Sequence, residues 1–170
     1  NLEFRTDIDN ASVSGIVVST SDQQTKTSSE TVYAVNCGGD AYTDSAGVEY
    51  SADENFTYGR KSGTSSEIEG TGNDPVFQML RCGDFYYDIP LENGDYEITL
   101  QFLENYWSAS ARRVFDIIAE CHEVVTNLAI YKTVGKNTAY QITVPVSVSD
   151  GELNLEFRTD IDNASVSGIV

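Results

Sequence analysis

The side chains best suited to chemistry in this chain are aromatic rings and a carboxylate in three separate stretches. They are Tyr58 in NFTYG, Tyr106 and Trp107 in NYW, and Asp162 in DIDN. Aromatic faces stack on the C–H groups of sugar rings, and carboxylates accept hydrogen bonds from sugar hydroxyls. These residue types therefore indicate a carbohydrate-binding site. The alternative for each aromatic residue is packing in the core, where tryptophan is usually found.

Catalytic chemistry has little support in the sequence. His122 is the only histidine, and its neighbours Cys121 and Glu123 form no known nucleophile motif, so we interpret it as a surface residue in a strand connection. The segment GTGNDP lacks the lysine of a phosphate-binding loop. Carboxylates are numerous enough for a glycosidase pair, but they lie mostly in turn sequences. We therefore predict a non-catalytic protein.

The formal net charge of −17 excludes several kinds of partner. A nucleic-acid binder needs a basic surface, and no apolar run reaches the ~18 residues of a membrane span. The simplest interpretation is a very soluble extracellular surface. A calcium-dependent contact is the alternative, with DEN at 53–55 and DIDN at 160–163 as oxygen clusters, although neither matches an EF-hand loop. We predict no cofactor, with structural calcium as that alternative.

Cysteines and glycosylation sequons bear on the compartment. Cys37, Cys82 and Cys121 show no metal-binding spacing. One disulfide with one leftover thiol is compatible with a secreted protein, an odd thiol can also join two chains, and the pairing is open. Asn-x-Ser/Thr sequons occur at Asn55, Asn163 and Asn10. With the acidity, they favour an extracellular or secreted glycoprotein.

The chain begins and ends with the same 17 residues, NLEFRTDIDNASVSGIV, at 1–17 and 154–170. Internal duplication at a fixed offset is typical of repeat proteins. We predict that residues 1–17 are the C-terminal strands of a preceding repeat. The alternatives are a strand donated to a neighbouring copy, or a duplication without structural purpose. Either of the first two interpretations gives head-to-tail contacts between copies, which do not close and so produce arrays or filaments.

The remaining sequence predicts the elements that must position these residues. Residues 18–31 form a Ser/Thr-rich linker, and 32–170 form one domain. In 94–102, apolar residues alternate with polar ones as in a half-buried strand. A strand and turn are expected at 31–42, and further strands at 76–80, 85–91, 114–118, 140–148, 152–157 and 165–170. Residues 38–75 are expected to be a long loop region with short strands, and 103–132 is ambiguous between helix and strand. Many short strands separated by turns predict an all-β fold, a two-sheet antiparallel β-sandwich.

Five stretches in this order resemble the malectin family of carbohydrate-binding modules. They are AVNCGGDAYTDSAGVEYSAD, GDYEITLQFLENYW, RRVFDI, GELNLEF and SGIV, within residues 32–170. The resemblance implies a jelly-roll-like sandwich of two antiparallel sheets. It also implies a sugar pocket formed by loops at one end, which in the animal members holds glucose units of an N-glycan.

The resemblance also assigns residues to the pocket. Tyr58 and Tyr106 match pocket tyrosines, Asp162 matches the aspartate that accepts sugar hydroxyls, and Trp107 replaces a phenylalanine, which keeps a stacking ring. Cys82 stands where the family has a further tyrosine, so one stacking surface is lost. Two sequons lie beside this pocket, and a glycan there would cover it or be held in it.

Two functions follow. The first is a non-catalytic building block of an extracellular tandem array or filament, with a loop pocket for glycan. The duplicated segment, the linker, the pocket-side sequons and the lost stacking residue favour it. The alternative is a lectin-type module whose main role is recognition of a neutral oligosaccharide. The two are compatible, since one repeat can serve both.

Overall fold

The computed structural model describes residues 30–170, which form two six-stranded sheets and two short helices. The strands are β1 Val35–Asn36, β2 Tyr42–Thr43, β3 Glu49–Ala52, β4 Phe56–Gly63, β5 Met79–Pro90, β6 Gly94–Phe102, β7 Val114–Ala119, β8 His122–Leu128, β9 Tyr140–Val148, β10 Glu152–Ile161, β11 Ala164–Val166 and β12 Gly168–Ile169. The helices are α1 Asp74–Phe77 and α2 Ile130–Val134. The predicted two-sheet β-sandwich is confirmed. The predicted preceding-repeat segment 1–17, with Asn10, and the linker up to residue 29 lie outside the described residues.

The strand order explains how one end of the sandwich is built. The first sheet runs β2-β3-β1-β12-β6-β9, and the second runs β11-β5-β10-β7-β8 with β4 paired to the other edge of β5. Named strand pairs are antiparallel except β1 with β3. The end of β6 adjoins β12 where Gln101 faces Gly168, and the start of β7 adjoins the end of β10 where Val114 faces Ile161. The loop after β6 and the loop after β10 therefore meet.

The core follows the predicted alternation. Ile98, Leu100 and Phe102 of β6 are buried and pack with the inward residues of the second sheet. The rings of Phe85 and Phe157 stack with centroids 4.6 Å apart. Because side chains in a strand point alternately to the two faces, this inward set fixes the register of both sheets. The loops at the strand ends are consequently carried on a rigid frame.

The stretch 38–75, expected to be a long loop region with short strands, contains β2, β3 and β4, and almost all residues of the eight-residue β4 are exposed. One predicted strand was wrong in part. The apolar run 76–80 was expected to be one strand, but its first half belongs to α1, which begins beside Pro75, and its second half begins β5. A proline in the first helical turn favours a helix start.

The helical alternative for 103–132 was also wrong over most of that stretch. Residues 103–113 connect β6 to β7, and a tight turn joins β7 to β8. At that turn Glu120 and Cys121 have φ of +49° and +64°, which suits a hairpin turn and not a helix. Helix α2 occupies only Ile130–Val134. His122 is exposed at the start of β8, as expected for a surface histidine.

All three cysteines are free thiols in this fold. Cys37 and Cys82 are buried, and Cys121 is exposed. Burial raises the pKa of the Cys37 thiol far above its ordinary value. Among residues 30–170, no helix combines the length and the apolar character needed to cross a membrane.

Candidate functional site

Asp162 and Trp107 lie together, although 55 residues separate them in the chain. Asp162 occupies the turn between β10 and β11, with φ of +58°. The indole Nε1 of Trp107 donates a hydrogen bond to Asp162 Oδ2 at 2.9 Å, and Asn163 Nδ2 donates to Asp162 Oδ1 at 2.8 Å. Each carboxylate oxygen accepts one hydrogen bond from the protein and retains a lone pair for another donor, and Arg113 Nη2 lies 3.7 Å from Oδ2 as an ion-pair partner. The carboxylate is therefore both oriented and available.

A buried ion pair holds the aromatic loop in place. Glu104, fully buried just after β6, accepts hydrogen bonds at Oε1 from the backbone N–H groups of Tyr106 (2.9 Å) and Trp107 (3.0 Å). Its other oxygen, Oε2, accepts from Arg113 Nε at 2.7 Å. Arg113 also donates to the backbone carbonyl of Asn163. The Glu104–Arg113 pair thus ties the loop of Trp107 to the loop of Asp162.

The two aromatic residues of this loop have different environments. Tyr106 is 68% exposed, whereas Trp107 is half-buried. The Tyr106 ring meets the Trp107 ring edge-on, with centroids 4.9 Å apart, and the Arg112 guanidinium lies 4.5 Å over the Trp107 ring. A cation over an indole face is attracted by the ring quadrupole. Trp107 is therefore held by three neighbours, while Tyr106 presents its surface to solvent.

Tyr58 lies in strand β4 and not in a loop as predicted. Its side chain is 73% exposed, its φ is +68°, and the register of β4 with β5 shifts between Tyr58 and Arg60. Such a bulge redirects a side chain out of the regular alternation. Arg60 Nη1 donates to Asn163 Oδ1 at 3.2 Å. This contact joins the strand of Tyr58 to the loop of Asp162.

A second buried ion pair lies under Tyr58. Arg81 forms an ion pair with Asp53, and Arg81 Nη1 donates to the Tyr58 carbonyl oxygen at 2.8 Å. Tyr87 donates its hydroxyl to Asp53 Oδ1 at 2.7 Å. Burial, followed by the nearby Cys37 and Asp53, raises the pKa of Tyr87, which keeps this phenol protonated as a donor.

These contacts bear on the calcium alternative. The Asp53 side chain, expected as a calcium ligand in DEN, is fully buried and paired with protein groups. Within residues 30–170, no three or more His, Cys, Asp or Glu side chains cluster in a way that could hold a metal ion.

The charge state of Asp162 follows from its neighbours. Partial burial raises the pKa of this carboxyl, but the hydrogen bonds from Trp107 and Asn163 and the charge of Arg113 lower it by more. The pKa therefore lies below its ordinary value of 3.8. The carboxylate is ionised at neutral pH and acts as a hydrogen-bond acceptor.

Cys82 lies beneath this site. It faces Arg60 across β4 and Ser165 across β11, is 4% exposed, and its thiol is 3.5 Å from the Arg60 carbonyl oxygen. Burial raises the pKa of this thiol. At this position the chain offers no ring for stacking.

The two sequons in the described part of the chain differ in environment. Asn55 is exposed, and its Nδ2 donates to the Tyr33 hydroxyl at 3.2 Å. Asn163 is half-buried. Its Nδ2 donates to Asp162 Oδ1, and its Oδ1 accepts from Arg60 Nη1. A glycan on Asn163 would replace one of the two hydrogens on Nδ2, and the single N–H that remains would have to be the one that donates to Asp162. Modification of both asparagines stays a prediction.

Sequence reasoning did not assign a supporting role to the residues that hold this site together. They are Asp53, which was considered only as a calcium ligand, and Arg60, Arg81, Glu104, Arg112 and Arg113. A signal was present for two of them: Glu104 follows the apolar run QFL, and Arg113 directly precedes the apolar strand VFDI. A charged residue directly beside a buried strand is rarely buried unless it is paired. The pairing partner could not be read from spacing.

Comparison with known proteins assigns this sandwich to a class. The family model described as "Malectin domain" matches residues 31–169. The chain therefore belongs to the malectin-domain family. Malectin-B of Xenopus laevis is 35% identical over 133 residues, covering 74% of this chain and 48% of that protein. The chain thus spans about half the length of the curated relative it matches.

Solved structures share the fold at lower identity. The extracellular domain of ANXUR1 from Arabidopsis thaliana superposes with a TM-score of 0.72 at 16% identity, covering 81% of this chain and 46% of that one. A β-glucuronidase of Bacteroides uniformis superposes with a TM-score of 0.71 at 23% identity, covering 81% of this chain but 17% of that one. At these identities the likeness concerns the sandwich alone.

Proposed function

We propose that this domain is a non-catalytic, lectin-type module that binds a neutral oligosaccharide through Tyr58, Tyr106, Trp107 and Asp162. The observation that carries the proposal is the hydrogen bond from Trp107 Nε1 to Asp162 Oδ2, which links an oriented carboxylate to the loop that carries the exposed ring of Tyr106. The carboxylate accepts sugar hydroxyls, and the ring stacks on sugar C–H groups. Membership of the malectin-domain family supports this assignment.

The roles of the aromatic residues differ. Tyr106 and Tyr58, at 68% and 73% exposure, are the stacking surfaces. Trp107 orients the carboxylate and supports Tyr106 from one side. We expect weak and reversible binding, because few rings contribute to it.

A glycan array with wild-type protein, Tyr106→Ala and Tyr96→Ala tests the proposal. Tyr96 is a matched control because it lies near the start of β6, whereas Tyr106 follows the end of that strand. Wild type and Tyr96→Ala are expected to bind the same neutral glycans, and Tyr106→Ala is expected to lose them. Equal signal from Tyr106→Ala, or no glycan signal at all, would contradict the proposal.

A second function rests on the duplicated segment. We propose that the domain is also a building block of an extracellular tandem array, with copies arranged head to tail. The supporting observation is the recurrence of 17 identical residues at an offset of 153 positions, 154 minus 1. The intact mass of the natural polypeptide, with electron microscopy of the native material, tests this. A mass corresponding to several repeats and a regular rise per domain are expected, and isolated single domains would refute it.

A further inference from the structure

Tyr86 is an exposed aromatic residue outside the candidate site. It lies on β5 with its side chain 39% exposed on the outer face of the second sheet, because its neighbours Phe85 and Tyr87 point into the core and are fully buried. A single exposed tyrosine is common on a sheet, since aromatic residues favour strands. Tyr86 differs from that ordinary case in its contact with Tyr58, in its polar neighbours and in its distance from Cys82.

The ring of Tyr86 continues the exposed aromatic surface of Tyr58. The two rings meet edge-on, with centroids 6.5 Å apart and an angle of 67° between their planes. That separation is comparable to the length of one sugar unit in a chain. An oligosaccharide that stacks on Tyr58 would therefore reach Tyr86 with a neighbouring unit, and would turn between the two units because the rings are not coplanar.

Two polar side chains flank the Tyr86 ring. Thr57 on β4 and Glu156 on β10 are its register partners on either side. Side chains directly opposite each other in antiparallel strands lie on the same face, with Cβ atoms roughly 5 Å apart. A ring between a hydroxyl and a carboxylate offers a stacking surface together with hydrogen-bond partners for sugar hydroxyls. The candidate site offers the same combination in Tyr106 and Asp162.

The Glu156 carboxylate is available to a ligand. Arg158, two residues further along β10, donates to Asp116 Oδ2 at 2.9 Å and to Glu123 Oε1 at 2.8 Å. Within residues 30–170, neither carboxylate oxygen of Glu156 has a hydrogen-bond or ion-pair partner. This carboxylate can therefore accept sugar hydroxyls without first giving up an ion pair.

Strand geometry places Tyr86 within reach of the candidate site. Cys82 lies beneath that site, and Tyr86 follows it by four residues on β5, about 13 Å along the strand. Tyr58 lies between them, because it faces Phe85 across β4 and β5. The position that lacks a stacking ring and the ring of Tyr86 are thus separated by a few sugar units.

We propose that Tyr86, Thr57 and Glu156 form a second sugar subsite, which extends the binding surface from Asp162 across the outer face of the second sheet. The proposal rests on the proposed lectin function and specifies its ligand. That ligand is a linear neutral oligosaccharide whose chain continues beyond the unit at Asp162. The domain then distinguishes chain lengths, since only a longer chain gains the contacts at Tyr86.

Titration with linear oligosaccharides tests the subsite. The probes are the glucose, mannose, galactose, xylose and N-acetylglucosamine series, each from the monosaccharide to the hexasaccharide. In the series that binds, wild-type affinity is expected to rise roughly 5-fold with chain length. Tyr86→Ala should abolish this rise and leave the affinity for the shortest bound sugar unchanged, whereas Tyr86→Phe should keep most of it. Tyr96→Ala, on the other sheet, is the matched control and should behave as wild type.

A second variant, Glu156→Ala, leaves the ring in place and should reduce the same rise; near-UV circular dichroism verifies the fold of each variant. A rise that persists in Tyr86→Ala, or equal wild-type affinity at every length, overturns the subsite and leaves the lectin assignment intact. Equal losses for short and long sugars in Tyr86→Ala also overturn it, because the ring would then act only by supporting Tyr58. Binding of no linear series overturns it as well, and the glycan array then decides separately whether the lectin assignment stands.

Discussion

At the scale of single residues, two buried ion pairs shape the candidate binding surface. Glu104, paired with Arg113, holds the backbone N–H groups of Tyr106 and Trp107. Arg81, paired with Asp53, holds the carbonyl of Tyr58. Burying such a pair contributes little net stability, since desolvation offsets the attraction. These pairs fix the position of the backbone, because each makes further hydrogen bonds to the backbone of a proposed sugar-binding residue.

Glu104→Gln tests this positioning role. The change removes the closest charged partner of buried Arg113, leaving it only Asp162 at 3.7 Å, and weakens the contacts to both loop N–H groups. We therefore expect the free energy of unfolding to fall by about 3 kcal/mol or more. Glycan affinity should fall at least ~10-fold, since each 1.4 kcal/mol is a factor of ten. Urea unfolding and glycan titration measure the two effects. Glu97→Gln, at an exposed site on β6, is the control and should change neither. Wild-type stability in Glu104→Gln would contradict the role.

We expect the protonation of Asp162 to determine how glycan binding depends on pH. The pKa of Asp162 in the folded state is lowered, so the carboxylate stays ionised above its ordinary pKa of 3.8 and is protonated only as pH falls through the lower folded value. Affinity should therefore be constant from pH 7 to about 4 and fall below that. Titration by calorimetry, with circular dichroism at each pH to verify folding, measures it. Asp162→Asn should bind weakly at every pH and show no such fall. A decline near pH 6 would assign the dependence to another group.

At the scale of elements, a strand could be predicted where apolar and polar residues alternate clearly along the sequence. The alternation of Ile98, Leu100 and Phe102 predicted β6 because one face of that strand is buried and the other is not. β4 lacks such a signal, since it pairs only with β5 and exposes nearly all its side chains. The run 76–80 failed for a different reason: a short apolar stretch fits a buried strand and a buried helix equally well.

A substitution at Gly59 tests whether the bulge in β4 positions Tyr58. Its φ is +70°, and an added Cβ would lie 3.0 Å from Arg81 Cγ and Phe85 Cβ. Gly59→Ala should therefore lower the free energy of unfolding by ~2–3 kcal/mol and weaken glycan binding, because Tyr58 is adjacent. Gly47→Ala is the matched control: its φ is +87°, but no atom lies within 4 Å of the added Cβ. It should cost only ~1 kcal/mol and leave binding unchanged. Equal effects in urea unfolding would exclude crowding at Gly59.

At the scale of the whole molecule, the candidate site depends on contacts between distant segments. The residue types in NYW and DIDN predicted a sugar site, but their spacing could not predict that Trp107 would bond Asp162. The topology makes that contact, since the final strands cross from the second sheet to the first and bring the β10–β11 turn beside the loop after β6. The sequence therefore indicated which residue types could contact a sugar, whereas the strand order determined which of these residues lie together.

The accessibility of the three free thiols measures how stably the folded domain is closed. Cys37 is fully buried between the sheets and Cys82 is 4% exposed, whereas Cys121 is on the surface. Burial also raises the pKa of both Cys37 and Cys82, so little reactive thiolate forms in the folded state. We expect a thiol-specific reagent to label one cysteine rapidly in native protein and all three in denaturant without reductant. Cys121→Ser should show no rapid labelling.

The slow labelling of Cys37 should then follow global unfolding, because this thiol is reached only when the two sheets separate. Its rate is expected to rise with urea in parallel with the loss of near-UV circular dichroism. Fewer than three thiols in unreduced, denatured protein would show that the protein carries a disulfide. Rapid labelling of Cys37 in native conditions would show instead that the sheets open locally, and that the core beneath the binding site is less rigid than the packing of Phe85 on Phe157 indicates.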